Sequence, residues 1–259
     1  MIFALTLIFF CFGLIIGSFL NVVIFRINTS KSLGGRSACM NCSKKLLWHE
    51  LIPVFSFIGL RGRCSVCKSK ISAQYPIVEL LSGMIFALLF WKFQDVFLLD
   101  TLTFTFTYAY YTLLFSILLT ISVYDFRHKI IPDNLSLIFG VLAFIGLFFF
   151  LDFNLGFYLP GLWNFLAGPI IALPLALMWL LSGGTWMGLG DAKLALGLGW
   201  LLGFNFIFFG FLLSFWSGAI LGSALIIFTR KYRIKSEIPF APFLVLGTFL
   251  AFLFEFRIF

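Results

Sequence analysis

Long uncharged stretches dominate the chain, and short polar or glycine-rich segments separate them. The first 25 residues carry no charge and lack the basic start of a signal peptide. A transmembrane helix needs about 20 mostly apolar residues, so residues 1–25 are predicted to form a retained first span. By the same criterion, further spans are predicted at residues 76–91, 101–124, 134–151, 163–181 and 239–254.

One uncharged stretch, residues 194–229, is 36 residues long. That length is long for one crossing of a bilayer and short for two. The turn-forming run Gly203-Phe204-Asn205 lies inside it. We expect this run to divide the stretch into a short sixth span and a longer seventh span, which gives eight spans in total.

The composition agrees with this pattern, since 62% of the residues are hydrophobic and only 11% are charged. Soluble domains are roughly 45–50% apolar and about 25% charged. So few charges could not cover the surface of a soluble globule, and they also exclude disordered chains, coiled coils and secreted disulfide miniproteins. The predicted fold class is an all-α polytopic membrane protein of about eight transmembrane helices.

The net charge of +8 resides in one segment between the first two predicted spans, residues 26–75, which we call the cysteine loop. Nine of the 18 basic residues and a single acid, Glu50, lie there, and the remaining charges cancel. Basic loops stay in the cytoplasm, so this loop is predicted to be cytoplasmic, with both termini outside. A single span at 194–229 would move the basic cluster at 230–235 outside, so the same rule favours two spans there.

Four of the five cysteines lie in this loop as two C-x-x-C pairs, Cys39 with Cys42 and Cys64 with Cys67, separated by 21 residues. Two such pairs fit a tetrahedral thiolate site for structural Zn²⁺. A cytoplasmic location disfavours disulfides, and the nearby basic residues favour the thiolate that a metal needs. The alternative is a set of redox-active or free thiols.

A basic zinc-binding loop can contact either nucleic acid or a membrane surface. This loop also carries apolar residues that suit a membrane interface. We therefore expect contact with membrane lipid and none with nucleic acid. The apolar residues are Leu46, Leu47, Trp48, Leu51, Ile52, Phe55 and Phe57.

Two of the ten acids need a specific explanation, because an acid at the edge of a bilayer is costly. Asp125 follows the third predicted span and Asp191 precedes the sixth, so both are predicted at the cytoplasmic membrane boundary. Two converging carboxylates can share one proton, so that one is ionised and the other is protonated. The ionised one can act as a general base and the protonated one as a general acid when water attacks a peptide carbonyl. Gly188 and Gly190 lack side chains and would let an extended substrate approach Asp191.

Other roles for these acids stay open at this point. Asp191 could cap a helix N-terminus, and Asp125 could pair with Arg127 or Lys129. Asp133 follows Ile-Pro and is expected to start a helix, but it is also a candidate for the second acid. A transporter that relays protons through carboxylates, and a scaffold that recruits a partner through the zinc loop, are alternative functions.

Several motifs of the chain resemble those of bacterial type IV prepilin peptidases, a GxGD-type family of aspartic membrane proteases. They occur in the order of the family and cover nearly the whole chain. They are GSFLNVVIFR at 17–26, the two C-x-x-C pairs, WHELIP at 48–53, RGRC at 61–64, YPIVELLSG at 75–83, Asp125 with IPD at 131–133, and GxGD at 188–191.

The resemblance implies a bifunctional enzyme of the bacterial inner membrane that serves type IV pilus assembly, type II secretion or DNA uptake. Such enzymes cut prepilins or pseudopilins after a glycine at the cytoplasmic face and N-methylate the new terminus with S-adenosylmethionine. Asp125 and Asp191 correspond to the catalytic aspartates of a seven-span peptidase domain, residues 76–259. The cysteine loop corresponds to the region linked with zinc and methyl transfer, where Glu50 is assigned to cofactor binding.

Overall fold

The computed structural model describes residues 2–29, 32, 34–150, 155–228 and 238–255. Regular structure in these residues is helical, apart from two isolated antiparallel bridges. Five helices are long and apolar enough to cross a membrane, and two further apolar helices are shorter. The predicted all-α membrane class is confirmed, whereas the eight crossings stay a prediction. The basic cluster at 230–235 lies outside the described residues.

The chain forms two compact units, Met1–Leu98 and Leu99–Phe259. The first contains two long helices, a 3-10 helix (Trp48–Leu51) and one short helix, and the second contains the other long helices and the two shorter apolar ones. In chain order the α-helices are α1 (Ile2–Arg26), α2 (Phe55–Gly59), α3 (Gln74–Leu99), α4 (Thr101–His128), α5 (Asp133–Phe149), α6 (Leu162–Ser182), α7 (Leu189–Phe228) and α8 (Ala241–Phe254).

In the first unit, α1 and α3 approach each other closely at glycines. A Cβ at Gly13 would lie 2.8 Å from the carbonyl oxygen of Ser82, and one at Gly17 would lie 2.7 Å from the Cα of Glu79. Glycines four residues apart let two helices pack backbone against backbone, which is a frequent arrangement in membranes. Residues larger than glycine at these positions would force the two helices apart.

The cysteine loop is fastened to this helix pair by a buried carboxylate. Glu79 of α3 is 6% exposed, and its Oε2 accepts the backbone amide of Val54 at 2.7 Å. Val54 immediately precedes α2 and has a left-handed φ of 62°, which is unusual for a β-branched residue. The contact therefore holds a specific loop conformation against the first turns of α3.

In the second unit, α4 is the most deeply buried of the long helices. Asp100 caps its start by accepting the backbone amides of Leu102 and Thr103 at 3.0 and 3.3 Å. Its last turn runs to His128, so the helix extends one turn beyond the span predicted at 101–124. Asp125 consequently lies within the helix rather than after it.

Helix α7 is interrupted at Gly203, where φ is 67° and ψ is 175°. Leu202 Cδ1 lies only 2.7 Å from the position of a Cβ at Gly210. Eight residues span about 12 Å along a continuous helix, so the chain must reverse direction at this point. The interruption predicted at Gly203 is confirmed, and the Asn164 side chain accepts the freed amide of Phe204 at 3.1 Å.

Candidate active site and metal centre

Asp125 lies in the last turn of α4 and is only 5% exposed. Its Oδ2 accepts the backbone amide of Ala241, the first residue of α8, at 3.3 Å. The first amides of a helix have no partner within the helix and carry a partial positive charge. The N-terminus of α8 therefore holds the Asp125 carboxylate in place.

Asp191 lies in the first turn of α7, and its backbone amide donates to the carbonyl oxygen of Gly188 at 3.2 Å. It is half-buried, and its carboxylate is close enough to Asp125 for the two to interact electrostatically. Two acids 66 positions apart in the sequence thus come together inside one unit. The structure brings together the two residues that the sequence analysis singled out.

The two glycines before Asp191 have different surroundings. A Cβ at Gly190 would lie 3.1 Å from the Cβ of Ile131, so this glycine allows the α4–α5 connection to pack against the start of α7. A Cβ at Gly188 would meet an Asp191 carboxylate oxygen at 3.7 Å, which is ordinary contact. Gly188 thus leaves space directly beside the carboxylate.

Asp133 has a different environment from the acid pair. Its Oδ1 forms an ion pair with Lys193 Nζ at 2.7 Å, and its side chain is 71% exposed. Exposed ion pairs contribute little to stability because water screens them. Asp133 begins α5, as expected from the sequence. Because it is exposed, it provides a control for substitutions at Asp125 and Asp191.

The four loop cysteines converge to a single cluster. Cys39 Sγ and Cys67 Sγ are 3.8 Å apart, Cys42 Sγ and Cys64 Sγ are 4.0 Å apart, and all four sulfurs lie within 4.8 Å of one another. Sulfurs at the corners of a tetrahedron with Zn–S bonds of about 2.3 Å would be about 3.8 Å apart. The cluster therefore has the ligand set and the dimensions for a metal ion.

Each C-x-x-C pair lies in a knuckle of eight residues, and the two knuckles, 38–45 and 63–70, are built alike. In each, the amide of the first cysteine donates to the carbonyl five residues on, at 2.9 Å. An antiparallel bridge joins the first and last residues of each knuckle. Ser43 and Lys68, which follow the second cysteines, both have left-handed backbone angles, with φ of 56° and 58°.

The thiols of the cluster have unequal proton affinities. The Ser69 hydroxyl and backbone amide lower the pKa of Cys67 to about 5. The backbone amide of Lys44 favours the thiolate of Cys42, but burial and the three neighbouring sulfurs outweigh it and raise that pKa to about 11. Four thiolates this close together repel one another, and a divalent cation among them would remove the repulsion.

Glu50 joins the two knuckles to each other. Its carboxylate accepts the backbone amide of Leu47 at 2.9 Å, the Ser65 hydroxyl at 2.5 Å and the Lys44 ammonium at 2.9 Å. These three donors lower its pKa from an ordinary 4.5 to about 2, with the Leu47 amide contributing most. Glu50, the only acid of the loop, is thus fully ionised at neutral pH and bonded on both oxygens.

Curated relatives that align with nearly the whole chain are named prepilin leader peptidase/N-methyltransferase. A protein of Aeromonas salmonicida is 33% identical over 94% of this chain and 89% of its own length. One from Bacillus subtilis is 31% identical, over 95% and 93% respectively, and one from Pseudomonas aeruginosa is 31% identical, over 93% and 87%. No solved structure matches.

Two family profiles match in addition. Residues 11–93 match the bacterial peptidase A24 N-terminal domain, and residues 112–223 match the type IV leader peptidase family. The chain belongs to the type IV leader peptidase family. The resemblance noted in the sequence is confirmed, with the cysteine cluster inside the first matched region and Asp125 and Asp191 inside the second.

Three contacts of this leader peptidase family member escaped the sequence analysis. They are the Asp125 bond to Ala241, the packing of Ile131 on Gly190, and the bond from Val54 to Glu79. For Ala241 a local signal exists, because Pro242 marks the start of a helix. The pairing of that helix with Asp125 has no local signal.

Proposed function

We propose that this chain is a membrane aspartic endopeptidase that removes the leader of type IV prepilins or pseudopilins after a glycine. The observation that carries the proposal is the pairing of Asp125 and Asp191 inside the unit that matches the leader peptidase family. The names of its relatives support the same activity. No comparison supports the alternative of a proton-relaying transporter.

In the proposed reaction, one aspartate of the pair is ionised and the other carries a proton. The ionised carboxylate takes a proton from water, and the water oxygen attacks the scissile carbonyl carbon. The protonated carboxyl then donates its proton to the leaving nitrogen as the C–N bond breaks. Water supplies both the new carboxylate oxygen and the protons, so no covalent enzyme intermediate is needed.

The surroundings of the acids suit a substrate whose cleavage site leaves the bilayer as extended chain. Gly188 leaves room beside the Asp191 carboxylate, and the first amide of α8 holds the Asp125 carboxylate in place. We propose that the leader lies at the cytoplasmic face of the bacterial inner membrane. The apolar helix of the prepilin would then remain among the spans and lipid.

We further propose that the cysteines hold structural Zn²⁺ and that the chain N-methylates the cleaved substrate. The four sulfurs provide a complete tetrahedral ligand set, which suits a structural zinc site. S-adenosylmethionine would supply the methyl group, as the methyltransferase names of the relatives suggest. Residues 26–75 would serve this step, with Glu50 as the candidate residue for binding the cofactor.

Substitution of the acids tests the peptidase proposal. Asp125→Asn and Asp191→Asn each remove one proton-transfer group, so each should lower prepilin cleavage by about 10²–10⁴-fold. Asp133→Asn is the matched control, because Asp133 is exposed and paired with Lys193, and it should keep activity within about threefold. The measurement is the initial rate of leader removal by the purified full chain, read by mass spectrometry.

The same assay separates the two activities. Addition of S-adenosylmethionine and a pre-cleaved pilin should give a product heavier by one methyl group, in the Asp→Asn variants as well as in the unaltered chain. Full cleavage by either Asp125→Asn or Asp191→Asn would contradict the catalytic pair. Methylation without cleavage in both variants would place the two reactions at separate sites.

A further inference from the structure

The cysteine loop carries a row of apolar side chains that the protein does not cover. The 3-10 helix presents Trp48 and Leu51, and α2 presents Phe55 and Ile58, in each case three residues apart and therefore on one side of a helix. Trp48 is 78%, Phe55 70% and Ile58 66% exposed. We call these four residues the apolar edge.

The position of the apolar edge relative to α3 follows from Glu79. Val54, which lies between the two apolar pairs, donates its amide to Glu79 at 2.7 Å. Glu79 lies five residues into α3, about 7.5 Å along the helix axis. The predicted span begins at residue 76, and a headgroup layer is about 5–7 Å thick. Val54 therefore contacts α3 near the predicted start of its span, which puts the flanking apolar edge where we expect α3 to pass from water into the bilayer.

A basic cavity opens where α2 ends. It has a volume of about 560 Å³ and is lined by Gly59, Leu60, Arg61, Arg63, Ser65 and Lys68. The three basic side chains are exposed, and within the described part of the chain no acid pairs with them. The single acid of the loop, Glu50, is already bonded to Lys44, Ser65 and Leu47. The cavity thus concentrates positive charge that the protein leaves uncompensated.

We propose that the cysteine loop binds the headgroup of an anionic phospholipid, with the phosphate in the basic cavity and the apolar edge in the acyl-chain boundary. Charge complementarity supports a phosphate-bearing ligand, because one guanidinium group can donate two parallel hydrogen bonds to two oxygens of a phosphate. The adjoining apolar edge at interfacial depth selects a lipid over a free anion or a nucleic acid. The inference concerns the first unit alone and does not depend on the peptidase reaction.

Lipid titration of the purified full chain in a neutral detergent tests the site. Dioctanoyl phosphatidylglycerol should bind saturably, dioctanoyl phosphatidylcholine should not, and inorganic phosphate should bind at least tenfold more weakly than phosphatidylglycerol. The triple variant R61Q/R63Q/K68Q should lose at least tenfold in affinity for phosphatidylglycerol. R36Q/K45Q/K70Q removes the same charge from loop residues outside the cavity and should lose less than threefold.

Several results would overturn the proposal. Equal losses in the two triple variants would show general attraction by charge and no site, and equal affinities for phosphate and lipid would show a free-anion site. Stronger binding of a single-stranded oligonucleotide through the same three residues would show a nucleic-acid site. Metal content, measured for both triple variants, shows whether the knuckles remain folded.

A second measurement does not depend on those variants. In nanodiscs of brominated phosphatidylglycerol, the unaltered chain should show more tryptophan quenching than Trp48→Phe does, because bromine at the acyl-chain boundary would reach the Trp48 ring. The fluorescence lost in Trp48→Phe reports Trp48 alone; if this difference is as large in brominated as in unbrominated nanodiscs, the apolar edge stays out of the bilayer and the proposal is overturned.

Discussion

At the residue scale, single carboxylates do different work according to how their oxygens are bonded. Glu50 has donors on both oxygens and joins the two knuckles, whereas Asp125 has one backbone donor and interacts electrostatically with Asp191. A carboxylate saturated with donors is held in place, while one with free lone pairs can accept a proton from water. This difference separates the loop acid from the acid pair in chemical terms.

Glu50→Gln should loosen the metal cluster without removing a cysteine. The amide cannot accept from Lys44, Ser65 and Leu47 as the carboxylate does, so the knuckles lose their shared link, although no ligand changes. Supporting residues around metal ligands typically contribute 10–100-fold in metal affinity. We expect Glu50→Gln to release zinc at about tenfold lower chelator concentration than the unaltered chain does. A colorimetric zinc assay on the full chain measures the release.

The exposed Asp95 of α3 supplies the control for this experiment. Asp95→Asn also exchanges a carboxylate for an amide in the first unit, and it should leave zinc transfer unchanged. If Glu50→Gln released zinc at the same chelator concentration as Asp95→Asn, the link between the knuckles would not contribute to metal retention. Glu50 would then be better explained by the cofactor role that the family resemblance implies.

At the element scale, the break in α7 depends on a backbone conformation that only glycine adopts readily. At Gly203, φ of 67° with ψ of 175° lies in a region nearly closed to residues with a Cβ. The reversal there lets Leu202 pack near Gly210 and lets Asn164 accept the Phe204 amide. A continuous 40-residue helix would separate these groups and lose both contacts.

Gly203→Ala should therefore destabilise the protein by about 1–3 kcal/mol, because alanine is strained in this backbone conformation. Gly140→Ala in α5 is the matched control, since a Cβ there meets nothing within 4 Å and a helical alanine is favoured by roughly 0.5–1 kcal/mol. Thermal unfolding in detergent, followed by tryptophan fluorescence, compares the two. A lower midpoint for Gly140→Ala than for Gly203→Ala would contradict the assigned turn.

At the scale of the whole molecule, the number of crossings decides on which side of the membrane each end lies. The reversal at Gly203 makes two crossings of α7 sterically feasible, and the surplus of basic residues in the cysteine loop favours a cytoplasmic position for that loop. Together they predict eight crossings with both termini outside. An odd number would put the C-terminus in the cytoplasm.

Reporter fusions test this topology in cells. Alkaline phosphatase, which is active only outside the cytoplasm, should be active when fused after residue 259 and inactive when inserted in the cysteine loop. A fluorescent protein that folds in the cytoplasm should give the opposite pattern. Activity of the C-terminal fluorescent fusion would mean that α7 crosses once, and the charge argument for residues 230–235 would then be wrong.

Much of the fold was accessible from the sequence because its signals are local. Uninterrupted apolar stretches predicted the long helices, and the glycine-containing run predicted the break at Gly203. Helix ends were less accurate. The predicted span at 76–91 corresponds to Gln74–Leu99 and that at 101–124 to Thr101–His128, because polar residues continue a helix beyond its apolar part.

The sequence by itself determined the membrane class, the charged loop and the spacing of the cysteines, and it singled out Asp125 and Asp191 as candidates for catalysis. These depend on composition and on residues near one another in the chain. Tertiary structure alone decided that Asp125 meets the N-terminus of α8, 116 positions away, and that Glu50 joins the two knuckles. The physical reason is that a buried carboxylate takes whichever donors packing brings to it, and packing between distant segments leaves no local pattern.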